Sequence, residues 1–119
     1  MQTIWITGGS SGIGFAVAKK FLEKDWCVII SSSNKNKLDE AKDKLFRLTN
    51  KKNIYSLVCD IKNYQAVKNC VSKIENEISK IDIALLNAAA YSPNKTQDFD
   101  IKNYELLIDV NLKGTINCI

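Results

Sequence analysis

The chain has 119 residues, 45% of them hydrophobic and 25% charged, with a net charge of +4. A chain of this length buries roughly two-thirds of its unfolded surface, which suits one globular domain with a real core. The modest positive charge lies scattered on helix-like stretches (Lys42 and Lys44, Lys73 and Lys80), which argues against a nucleic-acid groove; no apolar run reaches a membrane span; and four cysteines without CxxC spacing, with no histidine, argue against a metal site.

Strand-like and helix-like segments alternate along the chain. The first strand is predicted over Thr3–Thr7. A helix starts near Gly12, with Gly14, Val17, Ala18, Phe21 and Leu22 on one apolar stripe. A second strand covers Trp26–Ser31. The second helix runs from about Asn34, a suitable N-cap, to Leu48, with Leu38, Ala41, Leu45 and Leu48 facing inward. The third strand covers Ile54–Cys59. The third helix runs from about Tyr64 to Lys80 and buries Ala66, Val67, Cys70, Val71, Ile74 and Ile78.

Strand four, Ile83–Leu86, is continuously apolar, as expected of a parallel strand covered on both sides. Tyr91–Asp98 holds the only proline, Pro93, and reads as a loop. A fourth helix starts near Ile101 and continues to the end. Its apolar face is Tyr104, Leu107, Ile108, Leu112, Thr115, Ile116 and Ile119, and no strand follows to help bury it. The alternation implies an α/β fold with a parallel sheet in the order 3-2-1-4. Cys27 and Cys59 sit in strand-like runs, and all four cysteines, with Cys70 and Cys118, read as reduced thiols. The amino terminus lacks a signal-peptide pattern, so the expected location is cytoplasmic.

Thr7–Gly14, TGGSSGIG, holds four of the five glycines. It links a buried strand to an amphipathic helix. Backbone N–H groups and the positive end of a helix dipole make such a turn a pyrophosphate site. Glycine is needed where φ is positive, or where a Cβ would block the phosphate or the strand beneath the helix. A Walker loop would end in GKS or GKT, which is absent. A GxGxxG loop would need glycine at Val17, and GxxGxxG would need it at Phe15.

The remaining pattern, TGxxxGxG after the first strand, resembles the short-chain dehydrogenases/reductases. The resemblance implies a Rossmann-type doubly wound sheet, and a site made of Thr7, Gly8, Ser10, Ser11, Gly12, Ile13 and Gly14. It implies that Asp60, followed by Ile61, meets the adenine ring; a cap for the third helix is the other reading of Asp60. LLNAAA resembles the family's NNAG segment, with Leu86 and Ala89 replacing its first asparagine and its glycine. Asn87 would then bind backbone across the sheet, while Ala88 and Ala89 leave room for the ribose. DVNLKG, Asp109 to Gly114, resembles the segment whose asparagine joins a proton relay. Asn111 takes that role, or is a simple structural asparagine; a buried amide needs hydrogen-bond partners.

The resemblance also bears on the cofactor. Ser32 stands where NAD-preferring members have aspartate, and Ser33 where NADP-preferring ones often have arginine. Ser11 stands where some have a basic residue, and Lys35 is the nearest cation to a 2′-phosphate. NADP is favoured, with NAD as the other choice. The family's chemistry uses a serine and a tyrosine followed four residues later by lysine. Tyr64 with Lys68 and Tyr91 with Lys95 match that spacing, but not that place in the fold.

Residues 1–119 therefore read as the cofactor-binding part of an oxidoreductase, ending within the helix after strand four. This chain alone is expected to be inactive. The full-length form would be a homo-oligomer acting on a small carbonyl or alcohol, without nucleic acid or membrane. The alternatives are a non-catalytic NAD(P)-binding module and a non-functional truncation.

Overall fold

A computed structural model of the chain describes residues 1–91, 97 and 100–119. The predicted Pro93 loop and Lys95 lie largely or wholly outside them. Strands β1 (Thr3–Thr7), β2 (Cys27–Ser32), β3 (Ile54–Val58) and β4 (Ile83–Leu86) form one parallel sheet in the order β3-β2-β1-β4. Between them run helices α1 (Gly12–Glu23), α2 (Lys35–Thr49) and α3 (Tyr64–Lys73). After β4 comes α4 (Ile101–Leu107), which passes through a π-helical stretch, Ile108–Gly114, into a last turn, Thr115–Asn117.

Side chains alternate across the central strands and feed two cores. Ile4, Ile6, Val28 and Ile30 meet Ala18 and Leu22 of α1 and Leu38 and Leu45 of α2. Trp5 and Ile29 on the opposite face meet Val67, Cys70 and Ile74. Helices on both faces make the sheet doubly wound. Polar side chains fix where helices begin. Asn34 Oδ1 accepts from Lys37 N at 3.1 Å, and Asn63 Oδ1 accepts from Ala66 N at 3.0 Å. Asn63, and not Asp60, therefore caps α3.

Several predicted features are corrected. Strand β2 is shifted by one residue, to Cys27–Ser32. Leu48 is 52% exposed. A fifteen-residue helix is about 22 Å long and a five-residue strand about 17 Å, so the last turn of α2 overhangs the sheet. The third helix ends two residues early, because its last turn widens: Ser79 N donates to Ile74 O, five residues back, at 2.9 Å.

Strand β4 is covered on both faces only in its second half: Leu85 packs on the first core and Leu86 on the second, while Ile83 is 42% exposed and, among the described residues, β1 alone pairs with the strand. The apolar face of helix four is also open, with Tyr104, Ile108, Leu112, Ile116 and Ile119 all exposed. The helix touches the second core through Val110 and Cys118 instead. Gly114 is buried against Ile61, whose Cγ1 lies 2.8 Å from where a Cβ would stand.

A contiguous apolar stripe of this kind promotes association. Sedimentation velocity on a concentration series should show self-association. The double substitution Ile108→Lys, Leu112→Lys should suppress it without loss of helix signal. A concentration-independent monomer before substitution would contradict this.

Candidate functional site

In a parallel sheet all strands end at one edge, and here that edge opens onto a cavity of about 450 Å³. The end of β1 supplies Thr7 and Gly8, and the following turn supplies Ser10 and Ser11. The end of β2 supplies Ser32 and Ser33, and the residues after β3 are Cys59, Asp60, Ile61 and Lys62. Asn87, Ala88, Ala89 and Ala90 come from the end of β4, and Leu106 and Val110 close one side.

A knot of hydrogen bonds holds the edge together. Thr7 Oγ1 accepts from Asn87 N and from Ala88 N, each at 3.0 Å. Asn87 Nδ2 returns a bond to Gly8 O at 3.1 Å. Asn87 thus binds backbone across the sheet, as its sequence context suggested. Gly8 and Gly9 N–H groups both donate to Ser31 O, at 2.8 and 3.2 Å. Gly8 has φ +67°, and a Cβ on it would stand 2.8 Å from Ala88 Cα. Any side chain there collides with the neighbouring strand end.

Gly12, Ile13 and Gly14 lie outside this cavity. Gly12 has φ +57° and open space beside it; Ile13 is exposed; Gly14 is buried. A Cβ on Gly14 would stand 2.4 Å from Gly8 O. Gly14 serves the close approach of helix to turn, while Gly12 serves the turn's conformation. α1 enters from an extended Ser11, and no side chain caps it. Its first N–H groups have no partner within the helix, whereas Asn34, Asn63 and Asp100 cap the other three helices.

Asp60 closes the turn after β3. Its Oδ1 accepts from Lys62 N at 3.1 Å, and Lys62 Nζ stands 3.9 Å from Oδ2. Asn111 does not line the cavity and is exposed, which corrects the buried amide expected of it. It lies beside the apolar stripe that is left uncovered. Both ends of its amide are nevertheless used: Oδ1 accepts from Ala90 N at 2.7 Å and Nδ2 donates to Ala90 O at 2.9 Å. Lys35 is the cation expected nearest to a 2′-phosphate. It pairs with Asp39 at 2.6 Å and lines no part of the cavity.

Sequence reasoning missed Ser31, Cys59, Lys62, Ala90, Leu106 and Val110. The AAA run and the neighbourhood of Asp60 could have suggested Ala90, Lys62 and Cys59. Leu106 and Val110 gave no signal, because they lie off the helix's obvious apolar stripe. The thiols are free, and burial pushes Cys118 up to about 11. Among the described residues no group of acidic, cysteine or histidine side chains is arranged to hold a metal.

The sequence profile described as short chain dehydrogenase matches residues 2–119. The chain belongs to the short-chain dehydrogenase family. It is 27% identical over 115 residues to sulfoacetaldehyde reductase 2 of Chromohalobacter salexigens, covering 96% of this chain and 44% of that one. It is 37% identical over 113 residues to the 3-oxoacyl-(acyl-carrier-protein) reductase FabG of Rickettsia typhi, covering 95% of this chain and 43% of the relative. A solved short chain dehydrogenase from Bacillus anthracis superposes with a TM-score of 0.89 at 28% identity, over 98% of this chain and 46% of that one. The chain thus spans less than half the length of these relatives.

The knot carries a direct expectation. Thr7 is buried, and Thr7→Val keeps its shape while removing the acceptor for Ala88 N. Leaving a fully buried donor unpaired costs about 1–3 kcal/mol, and the half-buried donor here belongs at the low end of that range. Urea denaturation should show a loss in that range; an unchanged midpoint would mean the knot contributes nothing.

Proposed function

We propose that residues 1–119 form the dinucleotide-binding half of an NAD(P)-dependent oxidoreductase that moves hydride between a nicotinamide and a small carbonyl or alcohol. The observation that carries this reading is the uncapped start of α1 facing a glycine turn at the carboxyl edge of a parallel sheet. The open space beside Gly12 and the hydroxyls of Ser10 and Ser11 suit a pyrophosphate. Asp60 and Ile61 flank the adenine, Ser32 and Ser33 the adenosine ribose, and Ala88 and Ala89 the other ribose. Thr7, Gly8 and Asn87 hold the floor in shape.

When bound, the nicotinamide supplies the hydride chemistry. What this chain contributes is binding and orientation. Asn111, tied to Ala90, positions the strand end and supports a proton relay in the complete enzyme. No tyrosine lines the cavity among the described residues, so the proton donor lies in the complementary half. NADP is preferred, because no carboxylate stands at Ser32 or Ser33 to repel a 2′-phosphate. The complete enzyme is an oligomer working in a reducing compartment such as the cytoplasm, which suits free thiols. No described helix is long and apolar enough to cross a membrane.

Ligand that binds only the folded state raises stability, by about 2.7 kcal/mol at a hundred times its dissociation constant. NADPH should therefore raise the melting temperature of the chain. Gly12→Val, a β-branched residue forced to positive φ, should remove that rise while leaving most of the helix signal. Equal shifts in both proteins would place the phosphate elsewhere. In a coupled assay the chain alone should oxidise no NADPH with carbonyl substrates, and turnover above a cofactor-only control would reverse the assignment of the proton donor.

A further inference from the structure

We infer that Cys59 and Cys70 form a peroxide-sensitive thiol pair, which closes into a reversible disulfide between the cavity wall and α3. The inference goes beyond the nucleotide-binding reading and does not depend on it. All four cysteines are free, and all four sit in or against the core that Trp5 and Ile29 build with α3. Cys59 follows β3 and is 4% exposed; Cys70 lies on α3 and is 6% exposed. Of the four, only Cys59 lines the cavity. The cavity therefore gives a small oxidant a route to a thiol that the outer surface hides.

The other two cysteines are placed differently. Cys27 opens β2, whereas Cys59 N donates to the carbonyl of Ser32, where β2 ends. Five steps along a strand, about 17 Å, separate Cys27 from that end. Cys118 sits on helix four, is pushed up to about 11 by burial, and reaches the pair only through charge. Cys59 and Cys70 are in direct contact, with the Cys70 thiol donating to the Cys59 sulfur. This bond holds Cys59 below the ordinary thiol range, although burial and the neighbouring Asp60 act the other way. The same bond, with burial, pushes Cys70 far up. The thiolate is the nucleophile, so the attacking sulfur is the one that faces the cavity.

The oxidant class is a peroxide. Cys59 Sγ attacks one oxygen of hydrogen peroxide, the O–O bond breaks, and the other oxygen leaves as water. Cys59 is then a sulfenic acid. Cys70 Sγ attacks that sulfur, the S–O bond breaks, and the thiol proton leaves with the hydroxyl as a second water. The two thiols lose two electrons and the peroxide gains them. The new bond ties α3 to the turn that carries Asp60, Ile61 and Lys62, all of which line the cavity. Exchange with a reducing thiol reopens it.

Peptide mapping tests the pair. The reduced 119-residue chain is treated with hydrogen peroxide, remaining thiols are blocked with iodoacetamide, and the protein is cut with trypsin. Cleavage after lysine puts the four cysteines on separate peptides, 25–35, 53–62, 69–73 and 114–119. Mass spectrometry should find 53–62 joined to 69–73 with the loss of two hydrogens, and 25–35 alkylated. Dithiothreitol should remove the link. Cys70→Ser should leave a sulfenic acid on Cys59 that dimedone labels. Cys59→Ser should slow oxidation of Cys70 at least about tenfold, since the exposed thiolate is gone. Cys118→Ser should keep the link. Circular dichroism checks that each variant is folded. Treatment in urea should spread the links over several pairs. Cys59 and Cys70 both alkylated at every peroxide level that leaves the chain folded would overturn the inference. So would a link from Cys59 to Cys118 in the unsubstituted chain, or the same mixture of links in water and in urea.

Discussion

The cavity edge depends on one arrangement: the carboxyl ends of β1 and β4 are locked together at the spot where α1 lands. Thr7 Oγ1 takes two N–H groups from the end of β4, and Asn87 pays the carbonyl of Gly8 back with its amide. Those backbone groups leave the sheet ladder as the strands end, and they are half-buried, so they need partners. The same spot excludes side chains. Gly8 is blocked by Ala88, Gly9 by Ile30, and Gly14 by Gly8 O, each within 2.8 Å of where a Cβ would stand. The glycine cluster is therefore a packing solution for three crossing backbones as much as a phosphate turn. Gly12 alone among them has open space around it.

The architecture was legible because its signals are local and repeated. The apolar runs of β1 and β2 mark them as strands, and strand geometry sends Ile4 and Ile6 to one core and Trp5 to the other. Asn34 announced the start of α2 by its chemistry, and the structure gives it the expected cap. The failures come from length and context. Leu48 continues the apolar stripe of α2, but the helix outruns the strand it covers. Strand β4 has the composition of a buried strand, yet burial depends on neighbours that its own residues do not encode.

The site was legible in its floor and less so in its walls. Thr7, Gly8, Asp60, Asn87 and the small residues after it converge on one cavity. Charge placement was harder to read. Lys35 and Lys37 stand two apart in sequence, but a helix turns roughly 200° over that interval. One falls beside Asp39 and the other beside the glycine turn. Linear nearness to the end of β2 does not tell which way a lysine points, because the helix start sets direction and the sequence distance does not.

Helix four shows how a polar-looking stripe becomes the inner one. Its outer residues, Tyr104, Ile108, Leu112 and Ile116, recur every four positions and look like a core face. The face that meets the protein holds Val110, Gly114 and Cys118, flanked by amides. Gly114 brings the helix close to Ile61. Asn117 Nδ2 donates to Ile61 O at 2.9 Å, and Asn111 grips both backbone groups of Ala90. Each such bond is worth only about 0.5–1.5 kcal/mol net, whereas burying one large apolar side chain is worth about 1.5–3 kcal/mol. The helix is thus positioned by directional bonds while most of its apolar area is unused. Two of its points of attachment, Ile61 after β3 and Ala90 after β4, are cavity walls. Whatever covers the outer stripe stabilises the helix in that position, and by linkage stabilises the two loops that shape the cavity.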